Sequence, residues 1–168
     1  MHYTQSLWLL LFFIYCFLGW IWESCYVSLQ KREWVNRGFL YGPILPIYGF
    51  GAIVVLWLTL HFRNNLLQIN IFGMIGATIL EYITGDVMEQ LFHMRYWDYS
   101  DQPFNLNGHI SLFTSLGWGL FSVLLVEIIH PPIEHYLLQI PNITAEFISL
   151  LFTVIFVVDT TKSVQSAL

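Results

Sequence analysis

The sequence predicts an all-α, polytopic membrane bundle of about five transmembrane helices, and three observations carry that expectation. Of the 168 residues 57% are hydrophobic and only 10% charged, against roughly a quarter charged in a soluble domain. So little polar surface cannot keep the outside of a folded chain wet. Apolar residues gather into five stretches, about 6–29, 38–61, 70–92, 110–130 and 142–160, each near the roughly 20 residues that cross the hydrocarbon core. Aromatics make up 18%, with seven Trp, which suits anchoring at two water–lipid interfaces. The whole of 1–168 is expected to form one integral membrane domain.

The first stretch is longer than the apolar core of a signal peptide and has no Lys or Arg before it. It is expected to remain as a spanning helix. Cys16 and Cys25 fall on nearly opposite sides of that helix, so they cannot bridge, and both are expected to be apolar buried thiols. The net charge of −5 and the lack of any Lys/Arg run argue against nucleic acid or an anionic lipid surface as the main partner. The lipid bilayer is the partner that composition demands.

Orientation follows from the positive residues. Lys31, Arg32 and Arg37 lie in the first loop, Arg95 in the third and Lys162 in the tail, while Arg63 stands alone in the second. Placing the first and third loops inside puts the C-terminus in the cytoplasm and the N-terminus outside.

The second span is expected to be broken. Gly38–Gly51 holds four glycines and two prolines, and Pro43 and Pro46 each remove a backbone donor. Two readings stand: a kinked packing helix, or a discontinuous helix beside a substrate cavity.

The third span is the most informative. Glu81 lies near its centre, followed by Asp86 and Glu89, and at 100° per residue they share an arc with Thr78, Tyr82, Gly85 and His93. Ile75, Ile79 and Ile83 take the opposite side. A charged carboxylate at mid-bilayer costs about 2.5–3.5 kcal/mol on insertion scales, so this face is expected to turn away from lipid. It either glues helices together or lines a pathway for a proton, cation or polar substrate. Glu23, one turn from Gly19 on the first span, joins that pathway or pairs with Lys31, Arg32 or Arg37. On the fourth span Ser111, Ser115 and Gly119 form a small-xxx-small pattern, as do Gly73 and Ala77 on the third. Both fit close packing or a homo-oligomer.

The third loop, His93 to His109, is the longest polar stretch. It opens on Arg95-Tyr-Trp-Asp-Tyr99, an interfacial aromatic cluster, and continues through Asp101, Pro103, Asn105, Asn107 and Gly108. His93, Asp98, Asn105, Asn107 and His109 form its candidate polar cluster, and the two His are placed to meet Glu89. Asp159 is expected to pair with Lys162 on one helix face, Glu127 and Glu146 to be wet, and Asn142 to cap the last helix. In His130-Pro-Pro-Ile-Glu-His135 the prolines are expected to forbid a helical i, i+4 pair, so no metal site is expected. No nucleotide-binding loop or nucleophile elbow is present, and no cofactor is called for.

Four stretches together carry a resemblance: Gly19-Trp-Ile-Trp-Glu23; the run from Arg37 to Gly51; Glu81-Tyr-Ile-Thr-Gly85; and Trp97 to Ile110, running on to Ser115-Leu-Gly-Trp-Gly119. The chain resembles the bacterial membrane family labelled putative ABC-transporter type IV, or putative ABC transporter permease, over about residues 15 to 135. The resemblance implies a bacterial cytoplasmic membrane and a permease-like or transport-associated subunit, served by a separate ATPase docking on the first and third loops. Glu81, Asp86 and Glu89 would then line the pathway, completed by Glu23 and the broken Gly42–Gly51 segment from neighbouring helices. The alternative is a membrane-embedded enzyme acting on a lipid or isoprenoid head group at the cytoplasmic interface.

Overall fold

In a computed structural model, which describes residues 3–167, the chain is a helical bundle. Helix α1 spans Gln5–Lys31, α2 Pro46–Thr59, α3 Leu66–Phe92, α4 Leu112–Leu124, α5 His130–Leu137 and α6 Asn142–Ala167. A 3-10 turn, Leu60–Phe62, follows α2, and a π-helical segment, Leu125–Ile129, joins α4 to α5 without a break. Among the described residues four helices are long and apolar enough to cross a membrane: Gln5–Lys31, Leu66–Phe92, the continuous Leu112–Leu137, and Asn142–Ala167. Pro46–Phe62 is a shorter apolar helix. Of the stretch 38–61, residues 38–45 are not helical, and helix begins at Pro46, where proline's fixed φ and missing donor cost nothing.

The chain divides into two compact units, one within 1–53 and 137–168, the other Val54–Tyr136; the boundary falls inside α2. In the first, α1 packs along α6. Phe12, Phe13 and Cys16 form a core with Ile44, Ile53 and Phe156. Gly49 lies against Cys16 and Phe12, and Gly19 against the Tyr48 ring, so the absent side chains let α2 close onto α1. After the left-handed Arg32 that ends α1, residues 33–37 fold back along it. Trp20 Nε1 donates to Asn36 at 2.7 Å, and the Val35 and Arg37 amides donate to Ser28 and Ser24. Cys16 is buried as expected, but Cys25 is exposed; nothing in this unit packs over its side of α1.

In the second unit α3 and α4 run in close contact. Gly73 meets the Ser122 side chain and Gly119 meets Asn70, so the small residues of both helices serve packing within one chain. Asn65 caps α3 by accepting from the Gln68 amide, and the left-handed His93 closes its other end, with the His93 and Met94 amides donating to Glu89 and Met88. Ser111 and Thr114 form a reciprocal capping box at the start of α4.

Two expectations fail here. His130, Pro131 and Pro132 follow directly on the π segment, and the helix runs on through them to Leu137, the looser π winding just before them having already displaced the usual i−4 bonds. His130 and Glu134 therefore do form an i, i+4 pair, with Nε2 to Oε1 at 4.0 Å. Asn142 is the first residue of α6 rather than its cap, and the Pro141 carbonyl accepts from the Ala145 amide instead. Glu127 and Glu146 are exposed.

Candidate functional site

Glu81 faces inward from α3. It is only 4% exposed, whereas Ile75, Ile79 and Ile83 on the other side are open. Each carboxylate oxygen has its own donor: the Tyr99 hydroxyl reaches Oε1 at 3.1 Å and the Trp118 indole reaches Oε2 at 2.8 Å. Both donors are neutral. Tyr99 belongs to the loop after α3 and Trp118 to α4, so the carboxylate ties three segments of one unit together. One turn before it, the Thr78 hydroxyl is buried without a hydrogen-bond partner.

The loop reaches Glu81 because it is folded rather than splayed along an interface. Asn105–Leu106 pairs antiparallel with Ile110–Ser111, turning through Asn107 and Gly108, both at positive φ (54° and 73°). Asn-Gly is the residue pair that such a tight turn favours. A side chain on residue 108 would also run into Ser100 Oγ at 2.5 Å and Asp98 Oδ1 at 2.6 Å. The Tyr99 amide donates to the Gly108 carbonyl at 2.8 Å and Trp97 Nε1 to the His109 carbonyl at 2.9 Å, which lays the strip 97–99 on the hairpin.

Arg95 organises the loop's outer end. It holds Glu89 through Nη2 at 2.8 and 2.9 Å, and it approaches Asp98 at 3.2 Å. Its bond to Glu89 raises the guanidinium's pKa, which stays charged in any case. The Ser100 hydroxyl and amide, reinforced by Arg95, hold the Asp98 carboxyl below its usual range. His109 is buried, its Nε2 3.3 Å from Glu89, and its ring fills the space over Gly85. Asn105 bonds the Ser100 and Gln102 carbonyls, and Asn107 donates to the Tyr82 hydroxyl at 3.0 Å.

Of the predicted residues, the fold brings together Glu81, Glu89, Asp98, Asn105, Asn107 and His109. Asp86 turns to Gln90, its neighbour one helical turn on, at 2.8 Å. His93 is spent as the exposed end of α3. Glu23 belongs to the other unit, where Arg37 binds it at 2.9 Å.

Three contacts escaped the sequence reading. Tyr99 stands out in the sequence only as an interfacial aromatic and Trp118 only within the Ser115–Gly119 motif; a buried acid in need of donors is the one signal that would single them out. Arg63 meets Glu134 at 2.8 Å, beside the buried His130. Asp159 does not pair with Lys162. It accepts the Tyr41 and Gly42 amides at 3.0 and 2.8 Å, because backbone donors left free by the non-helical segment 38–45 stand closer than the lysine does. Among the described residues no three His, Cys, Asp or Glu are placed to share a metal ion.

The long apolar helices and the buried polar centre between α3 and α4 define a multi-pass helical membrane protein. The chain belongs to the family described as putative ABC-transporter type IV, whose pattern matches residues 10–164. Comparison with curated proteins finds no match, and comparison with solved structures finds none.

Proposed function

We propose that this chain is a permease-like, transport-associated membrane subunit in which Glu81 is the working carboxylate. One contrast carries the reading. Glu23, Glu89 and Glu134 each hold an arginine, at 2.8–2.9 Å, whereas Glu81, the acid deepest between α3 and α4, receives only a phenol and an indole among the described residues. An ionisable group held inside a membrane span without a counter-ion is expensive and is ordinarily retained for function. Both oxygens of the ionised form are already satisfied. A proton or cation arriving there competes with hydrogen bonds that a neutral side chain can release.

The subunit is proposed to sit in a bacterial cytoplasmic membrane, N-terminus outside and C-terminus inside, as an oligomer or with a separate ATPase on its first and third loops. The family membership supports an association with transporter subunits, and the charge pattern supports the orientation. The enzyme alternative is less well supported, because Asp98, Asn105, Asn107 and His109 spend their side chains on building the hairpin rather than opening toward a ligand.

Affinity purification of the tagged chain from its native membrane tests the partner, with an ATP-binding subunit as the expected companion. Repeated recovery without one removes the permease reading. In the recovered complex Glu81→Gln is expected to leave assembly intact and abolish substrate-stimulated ATP hydrolysis; normal stimulation would show that Glu81 is only structural.

A further inference from the structure

The first unit carries a groove of about 580 Å³ between Tyr41 and the outer face of α6, lined by Val154, Ile155, Val158, Asp159 and Lys162. That volume suits one small organic molecule, whose pockets run roughly 300–1,000 Å³. The lining changes character along the helix. Val154 and Ile155 lie deepest in the span, Val158 comes a turn later, and Lys162 stands in the last two turns of a helix that ends at Ala167. At 1.5 Å per residue the ammonium-bearing position is about 12 Å nearer the membrane surface than Val154. Apolar wall at acyl depth leads up to a cation at head-group depth.

The charges at the rim are unequal in what they have left to bind. Asp159 is occupied by the Tyr41 and Gly42 amides and by the Ser163 hydroxyl at 3.4 Å. The Lys162 ammonium, three residues on, makes no hydrogen bond or ion pair among the described residues. We infer that this groove binds one anionic glycerophospholipid, with an acyl chain along Val154, Ile155 and Val158 and its phosphate at Lys162. An apolar helix from a second copy or another subunit would cover the valines equally well. It would offer Lys162 no anion, and so would leave a bare ammonium beside a newly dried surface. A lipid phosphate satisfies both ends of the groove at once.

The test uses the full chain, purified in mild detergent from vesicles of equimolar phosphatidylglycerol and phosphatidylcholine, with retained lipid counted by native mass spectrometry. One phosphatidylglycerol is expected to persist in preference to phosphatidylcholine. Lys162→Gln is expected to weaken its retention about fivefold, the factor equal to about 1 kcal/mol for one basic residue at an anionic membrane surface. Lys162→Arg restores it. Ile155→Trp, which fills the groove, removes bound lipid, whereas Ile79→Trp on an exposed face of the other unit does not. Equal retention of the two lipids, or an unchanged Lys162→Gln protein, overturns the proposal. So does an Ile155→Trp protein that keeps its lipid and instead falls from dimer to monomer, which would make a second copy the occupant.

Discussion

Asp159 and Gly42 stand 117 residues apart in the chain, yet the Gly42 amide lies 2.8 Å from an Asp159 carboxylate oxygen. With the Tyr41 amide on the other oxygen, one side chain of α6 satisfies two donors in the segment where the helix has not yet begun. Asp159→Ala leaves both donors short of a partner and should destabilise the protein by roughly 1–3 kcal/mol; Asp159→Asn, which keeps one acceptor, should cost less. Gly42→Ala puts a methyl 2.8 Å from the same oxygen, so it should destabilise the wild type and cost much less when Asp159 is already Ala. Thermal unfolding of the four proteins in detergent closes the cycle. Strict additivity would mean the two residues do not meet.

Glu81 sets a second cycle. Trp118→Phe and Tyr99→Phe each strip one carboxylate oxygen of its donor, and each should cost roughly 1–3 kcal/mol. In a Glu81→Leu background the Trp118→Phe change should be close to neutral, since both polar partners are then gone. An equal cost in both backgrounds would show that the indole serves some other contact.

Two glycines on the facing helices should behave in opposite ways. A Cβ at residue 73 collides with the Ser122 side chain, while one at residue 117 meets nothing within 4 Å. Gly117→Ala should therefore stabilise α4 by about 0.5–1 kcal/mol through helix propensity alone, and Gly73→Ala should loosen the α3–α4 contact despite the same gain. Unfolding midpoints that move in the same upward direction would contradict the packing.

Asp98 supplies a pH dependence outside the membrane. Its folded pKa lies below the ordinary 3.8, so its support for the hairpin is complete above pH 3.8 and is lost as pH falls through the lower folded value. Hydrogen exchange at Ser100, whose amide donates to Asp98 at 3.0 Å, should accelerate only in that acid window. Asp98→Asn should flatten the profile, and a profile unchanged in that variant would show that another group carries the step.

How far the sequence could be read follows from the range of each interaction. The all-helical class and the inward turn of Glu81 are local consequences of hydropathy and a 3.6-residue period, and Ile75, Ile79 and Ile83 mark the outer side without ambiguity. Partners across long separations were not legible in this way. Asp159 and Lys162 are visible as i, i+3 neighbours on a helical wheel, whereas the Tyr41 and Gly42 amides become available only once 38–45 declines to be helix. The loop is only partly legible for a similar reason. Asn107-Gly108 is a turn signal, but that its hairpin carries Tyr99 back to Glu81 depends on strand register, which composition does not encode. The proline pair at 131–132 looks like a helix breaker in isolation, yet it sits just after the π segment of a helix that continues to Leu137.

The π segment Leu125–Ile129 amounts to one residue more than an α-helix needs in the same stretch, absorbed without ending the helix. Everything beyond it is thereby turned by about 100° about the axis relative to an uninterrupted α4. Glu134, which reaches Arg63 at 2.8 Å, owes its azimuth to that surplus residue. Shortening Leu125–Ile129 by a single position would restore the commoner winding, carry the carboxylate round the helix and strand the guanidinium, so this stretch tolerates substitution far better than it tolerates a change in length.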